Sequence, residues 1–433
     1  MFLTGRVPLA LGLGVIPILL FSAAGISPWL VGAGWLGIWT ALVVADTLLA
    51  PNPHAIQISR KIPGQVRRDE PVATRILLHN TGARTVHGRL RDGWQPTAGA
   101  GRARAAIAIP AGERRAVELT LVPRRRGELR TEFLAVRTRG PLGLAGRQAR
   151  LDAPGAIRVL PPFVSRRHLP SRLARLRELD GNTSVNIRGQ GTEFDSLREY
   201  VRGDDVRSID WRATARATTT MLRTWRPERD RHVVIAIDTG RTSAARVGDG
   251  VRLDVAMEAA LLLTALAARA GDHVHLVMFD RVLRGRVTRV DGPGLLPAMV
   301  TAMAPVEPQL IDTDWDALFA QVRQLTTRPS LVVLLTAQDA PAAARSFLGS
   351  LPGLAQRTQV LVGTATDIPG ERIARRDATD VYREAAEERA RRDADLVALA
   401  INRAGGEAIA ADPDTLPPAI ADRYLALKAA GRL

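Results

Sequence analysis

No charged side chain interrupts the chain between Val7 and Ala45, a neutral run of 39 residues. A single helix of that length, at about 1.5 Å per residue, would run roughly twice the ~30 Å hydrocarbon thickness of a bilayer, so two spans fit better than one. Gly25, Ser27 and Pro28 break the run near its middle and predict a transmembrane hairpin, Leu9 to Ala24 and Trp29 to Leu49. Trp29, Trp35 and Trp39 lie on the second span, the first of them placed for an interface. A cleaved leader is the alternative for the first span. Against it, a second apolar span follows at once, and Asp46 and Pro51 close that span without an evident cleavage site. Arg6 precedes the hairpin and Arg60, Lys61, Arg67 and Arg68 follow it. The positive-inside rule therefore places both termini on the cytoplasmic side of the inner (plasma) membrane.

Beyond the hairpin (1–51) the pattern changes to short alternating runs: His54 to Ile58, Ala73 to His79, Arg102 to Ile109, Ala116 to Val122, Glu132 to Thr138 and Ile157 to Leu160. Turn clusters such as Asn80-Thr81-Gly82 separate them, and period-two alternation at this spacing predicts a small β-sandwich over 52–162. It carries no catalytic constellation and reads as a spacer or contact module. Arg124, Arg125 and Arg126 read as a solvated loop rather than a binding site.

Residues 163–232 form a linker with dense charge. Leu169 to Leu179 predicts a helix, Asp180 to Gly191 a polar loop, Glu193 to Tyr200 a strand or short turn, and Gly203-Asp204 a bend. Asp205 to Arg216 predicts a helix with Asp204 or Asp205 as its cap. Met221 to Arg226 and Val233 to Ile237 predict a hairpin joined by Pro227 to Arg231. From residue 233 to 433, buried-type strands (Val233 to Ile237, His273 to Phe279, Leu331 to Leu335, Gln359 to Val362) alternate with helices (Leu253 to Arg269, Asp314 to Leu325, Asp380 to Ala404, Leu416 to Lys428). That alternation predicts a doubly wound α/β sheet, whose ligands gather at the carboxyl ends of strands. Asp238 and Asp280 stand at two such ends.

Composition narrows the chemistry. The chain has no cysteine, which excludes thiol nucleophiles, disulfides and thiolate-bound zinc, and its seven histidines form no recognised metal-ligand spacing. The net charge of +16 suggests nucleic acid until it is divided. Residues 51–160 carry +13, while 233–433 is nearly neutral, so the positive charge lies beside the hairpin, where an anionic leaflet attracts it. Nucleic-acid binding is not expected. Lys61 and Lys428 are the only lysines, so an arginine-biased genome explains part of the excess.

The densest charge pattern sets Arg198, Arg202, Arg207, Arg212 and Arg216 against Glu199, Asp204, Asp205 and Asp210, around Trp211. It reads as an ion-paired collar fastening the β domain to the following domain, or as a contact surface for a partner; both roles are compatible.

The run EFDSLREYVRGDDVRSIDWRATAR, followed by RPERDRHVVIAID, resembles the signature of the bacterial domain of unknown function 58 proteins. The resemblance extends from the membrane spans through GPLGLAGR (Gly140 to Arg147) to YLALKAAGRL (Tyr424 to Leu433). It implies a von Willebrand factor A-like domain over 233–433, membrane attachment, frequent pairing with a MoxR-type AAA+ ATPase, and no established catalytic activity. Such domains often hold a divalent ion, here Mg2+, in an adhesion-type site of oxygen donors. The corresponding positions are Asp238, Thr242, Ser243, Thr313 and Asp339, with Gly240 in place of one serine and Ala337 in place of an aspartate. The site is degenerate, and the competing reading has Asp238 capping its own turn and Thr242 or Ser243 capping the helix. No cofactor is certain. His273 and His275 share a strand face and read as packed or exposed side chains rather than ligands.

Function is accordingly expected to be non-enzymatic: a membrane-anchored, cytoplasmic-facing interaction protein. The alternative is a metal-dependent hydrolase using Asp238 and Asp280, against which the missing aspartate at 337 counts.

Overall fold

The computed structural model describes all residues except 102–103, 184–192, 203, 227–230, 327 and 368–377. The chain divides into two units, Met1–Leu160 and Pro161–Leu433.

In the first unit, two helices, Arg6–Ala23 and Pro28–Ala55, are long and apolar enough to cross a membrane. The turn between them uses Gly25 at φ +86°, a left-handed conformation that costs glycine little. At Gly14 the helices approach so closely that a Cβ would lie 2.5 Å from the Trp35 ring, and the Trp35 indole donates to the Ala10 carbonyl at 3.2 Å. The second helix ends against the β-sandwich. Asp46, fully buried, accepts the backbone N–H groups of Leu142, Leu144 and Ala145 at 2.7, 2.8 and 2.8 Å. Gly140 is obligatory there, because a Cβ would fall 2.2 Å from Asp46 Oδ1. Arg147 donates to the Thr47 and Leu48 carbonyls and Arg84 to that of Leu49. These are last-turn oxygens with no partner inside the helix, so two arginines distant in the chain cap it.

The sandwich pairs a three-stranded sheet (Ile56–Lys61, Val72–Asn80, Arg114–Leu121) with a larger one centred on Gly127–Arg139 and Ala145–Leu160. Inward residues such as Ile76, Leu78, Leu90, Ile109, Leu134 and Val136 close the core. Strand Val86–Asp92 is central to the larger sheet, although its alternation is disguised. Its inward positions include Gly88, where the Arg137 carbonyl leaves no room for a Cβ, and Asp92, which binds Arg60 through two contacts of 2.7 and 2.8 Å. Arg126 is buried, against the expectation of a solvated loop; Arg124 and Arg125 are exposed.

The second unit is built on a six-stranded mixed sheet: β1 (His232–Asp238), β2 (His273–Phe279), β3 (Leu283–Val287), β4 (Leu331–Leu335), β5 (Gln359–Ala365) and β6 (Glu407–Ala411). Their order is β3-β2-β1-β4-β5-β6; all neighbours are parallel except β3, which runs antiparallel at one edge. Helices α1 (Arg252–Arg269) and α6 (Leu416–Ala429) pack on one face. The opposite face carries α3 (Trp315–Leu325), α4 (Arg345–Ala355) and α5 (Ala378–Arg403), whose Phe319, Phe347, Leu351, Val397 and Ile401 bury Val234, Ala236, Val332 and Val362 of the sheet. Helix α2 (Leu295–Met303) follows β3. Strand β4 is wholly apolar, and β1 and β2 are apolar apart from His232, Asp238, His273 and His275, because both faces of a parallel sheet are covered.

Two sequence expectations fail before this sheet. Met221–Arg226 pairs antiparallel with Glu193–Glu199, not with β1, because β1 is hydrogen-bonded on both sides by β2 and β4 and has no free edge. The helix expected from Asp205 to Arg216 is a 3-10 turn, Val206–Ser208, and a four-residue helix, Trp211–Thr214. Between them Ile209 bridges Leu222 and Asp210 caps the second piece, as an aspartate does better at a helix start than within one. The polar loop is shorter than expected, since the helix from Leu169 runs to Thr183. Its remainder at 184–191, together with Gly203 and the Pro227-to-Asp230 connection, lies outside the described residues.

Candidate functional site at the strand ends

The chain crosses from the β2–β3 side of the sheet to the β4–β6 side, so the switch point lies between the carboxyl ends of β1 and β4. Asp238 ends β1 there, and Thr336 follows β4 directly across from it. Asp238 is 3% exposed and receives four hydrogen bonds. Its Oδ1 accepts from the Gly240 N–H at 2.8 Å and the Thr313 hydroxyl at 2.5 Å; its Oδ2 accepts from Thr336 at 2.7 Å and Thr242 at 3.3 Å. Burial pushes the carboxyl above its ordinary range despite the bonds from Thr313, Thr336, Gly240 and Thr242, which oppose the shift.

The loop after β1 is fixed from outside. The Arg241 N–H donates to the Ile311 carbonyl and the Gln309 N–H to that of Thr239, which brings Thr313 over the turn. A Cβ on Gly240 would lie 2.4 Å from the Thr313 hydroxyl oxygen, so that hydroxyl occupies the space a serine at 240 would need. Ser243, expected as a ligand, instead donates to the Gly240 carbonyl at 2.6 Å and closes its own turn. Asp339, also expected as a ligand, is engaged by Arg252 at 2.7 Å. Thr336 was not among the expected residues; its apolar strand and the missing aspartate at 337 drew attention past it, and only the register of β4 against β1 brings it to Asp238.

Three other carboxylates near the switch, Asp280, Asp312 and Asp339, are each paired with an arginine. Asp280, fully buried, accepts from Arg284 at 2.7 Å, Thr239 at 3.0 Å and two backbone N–H groups. Burial alone would raise it, but Arg284, the Val282 and Arg281 N–H groups and Thr239 together hold it below its usual range. Asp312 pairs with Arg241 at 2.7 Å. Three carboxylates thus face three arginines, and Asp238 stands alone with both oxygens already accepting protein hydrogen bonds. A magnesium site draws on free carboxylate oxygens in near-octahedral array, and this donor set does not fit one. Above Asp238 a cleft of about 810 Å³ opens, lined by Thr242, Thr313, Trp315, Gln338, Ser346 and small alanines.

The charged segment 193–226 forms its own lobe. Arg198 pairs with Asp204 and Arg223 with Asp210, both at 2.7 Å. The Ala213 N–H first, and then Arg223, hold the Asp210 carboxyl below its ordinary value. Asp205 caps the 3-10 turn through the Arg207 N–H. The pairing expected of a collar therefore joins residues of the lobe to one another, and Arg202, Arg207, Arg212, Arg216 and Trp211 are exposed.

Residues 196–371 match the family described as Protein of unknown function DUF58. That match spans both the lobe and the switch-point cleft. Two uncharacterized mycobacterial proteins, Rv1480 of Mycobacterium tuberculosis and Mb1516 of Mycobacterium bovis, are each 25% identical to the chain over 185 residues. The alignments cover 42% of this chain and 57% of either relative. Among solved structures, the CARDB domain of the PF1109 protein from Pyrococcus furiosus covers 26% of this chain and 91% of its own at 11% identity, with a TM-score of 0.18, too low to bear on the fold.

At the amino ends of the strands, His232 of β1 and His275 of β2 share a 2.9 Å hydrogen bond, with His273 stacked beside them. His275 is buried and its Nδ1 has no partner among the described residues. Among the described residues these rings pack against one another, and His273 Nδ1 also lies 2.9 Å from Asp291.

Proposed function

We propose that the chain is a non-enzymatic, membrane-anchored interaction protein whose second unit is von Willebrand factor A-like and receives a protein partner at the switch-point cleft. The observation that carries the reading is Asp238, buried beneath an open cleft and held from four directions by Gly240, Thr242, Thr313 and Thr336. An antiparallel edge strand on an otherwise parallel sheet of order β3-β2-β1-β4-β5-β6 supports the A-like assignment. Partner binding here needs hydrogen-bonding groups at a rigid strand end, which the threonine cage supplies, and no metal. A hydrolase built on Asp238 and Asp280 would need a free second carboxylate, and Arg284 engages Asp280.

The two apolar helices serve as the anchor, with both termini on the cytoplasmic side, where Arg6 and Arg60, Lys61, Arg67 and Arg68 flank them. The partner is a MoxR-type AAA+ ATPase. Affinity purification of the full chain from native membranes, with and without magnesium, tests this: an AAA+ protein should enrich under both conditions and be lost on Asp238→Ala. Membranes from which no AAA+ protein enriches would refute the partner.

A further inference from the structure

The lobe of residues 193–226 presents a surface whose charges are unevenly spent. Every described carboxylate between 197 and 223 is used within it. Asp204 accepts from Arg198 and the Val201 N–H; Asp205 accepts from the Arg207 N–H; Asp210 accepts from the Arg212 and Ala213 N–H groups and from Arg223. Glu199 accepts from the Thr219 hydroxyl. Arg202, Arg207, Arg212 and Arg216 are exposed, and among the described residues none of their guanidinium groups has an ion-pair or hydrogen-bond partner.

Interleaved with these arginines along the chain are apolar side chains that a free surface would hide. Trp211 is 70% exposed, Val201 62% and Val206 61%. Trp211 opens a four-residue helix whose first N–H groups are fixed by Asp210, and Val206 opens a turn fixed by Asp205, so the lobe's own carboxylates hold both in place. A preordered tryptophan among arginines has the composition of interface hot spots, and rigid presentation lowers the ordering cost of binding. Four exposed guanidinium groups against the exposed Glu199 and Asp205 leave this surface with net positive charge. Complementarity to that charge and to the exposed indole selects a protein segment that is acidic and carries an apolar residue to cover Trp211.

We propose that this lobe is a docking surface for an acidic segment of a protein partner, with Trp211 as its apolar anchor and Arg202, Arg207, Arg212 and Arg216 as its charge-selecting rim. The inference rests on the reading of the chain as an interaction protein, and it uses a surface other than the Asp238 cleft. Rim arginines set association rate and salt dependence, while the indole sets residence time.

The test places a photo-crosslinking benzoylphenylalanine at position 206 of the full chain in its native membranes, with mass-spectrometric sequencing of the adduct. The expected adduct is a peptide of another protein with net negative charge. It should fall by about tenfold or more with Trp211→Ala, and likewise with Arg→Ala at all four rim positions, and survive Arg→Lys at those four. Adducts with lipid or with a second copy of this chain, a peptide without acidic excess, or no adduct at all would overturn the proposal. Copurification on the same membranes separates the two readings. A partner retained equally by wild type and the four-alanine variant, without an acidic adduct at 206, sinks the lobe alone, whereas absence of any copurifying partner sinks the interaction reading itself.

Discussion

The hydroxyl of Thr336 donates a 2.7 Å hydrogen bond to Oδ2 of Asp238, tying the ends of β4 and β1 together across the switch point of the sheet. Thr336→Val keeps the shape and removes this donor, and should cost about 1 kcal/mol in chemical denaturation of the detergent-solubilised chain. Asp238→Ala strands the Gly240 N–H and three threonine hydroxyls and should cost about 3 kcal/mol or more.

Because burial raises the Asp238 carboxyl, the unfolded chain loses this proton first as pH rises past about 4. Stability then falls from there up to the folded value and levels off above it. Asp238→Asn has no proton to lose. The asparagine variant should lack that component of the pH slope above about pH 4, and an unchanged slope would contradict the buried-acid description.

Magnesium or manganese should leave the melting temperature of the chain unchanged, since Asp280, Asp312 and Asp339 are each held by arginine. A specific ion at a hundredfold excess over its dissociation constant would add about 2.7 kcal/mol, well within reach of a thermal scan. A shift that disappears with Asp238→Ala would restore a metal to the site.

Acid should weaken the second unit through His275. Burial first, then His232, His273 and Arg286, lower its pKa, with Asp291 opposing. The folded chain keeps this ring neutral while the unfolded chain binds a proton below about 6.5, so stability is lost as pH falls from there toward the folded value. His275→Gln should flatten that part of the curve, read by denaturation at successive pH values.

Asp46→Ala should destabilise the first unit by about 3 kcal/mol or more, because the N–H groups of Leu142, Leu144 and Ala145, the last two of them buried, lose their acceptor together. Gly140→Ala should do comparable damage by driving a methyl group into that carboxylate. Thermal unfolding followed by intrinsic fluorescence would show both, and a wild-type melting curve for either would count against the contact.

Much of the second unit was legible because its strands are apolar on both faces. His273–Phe279 and Leu331–Leu335 have the bounds their sequences predict, and Asp314 caps the helix expected to start there. The misses have specific causes. Val86–Asp92 hides its inward face behind Gly88 and Asp92, one needing no side chain and the other a charge satisfied only by distant Arg60. Glu407–Ala411 and Leu283–Val287 are short edge strands without buried runs on both faces.

The sequence by itself determined the apolar helices, the alternation of buried strands with amphipathic helices, and the placement of Asp238 at a strand end, since each follows from local periodicity. Tertiary structure decided what those pieces do to one another. It filled both edges of β1 and so sent Met221–Arg226 to a separate lobe; it set Thr336 opposite Asp238 and Thr313 in the space over Gly240; and it turned Asp46 from the end of an apolar run into the acceptor for a turn 96 to 99 residues away. Such pairings depend on register and close approach between segments far apart in the chain, and no local pattern of side chains encodes them.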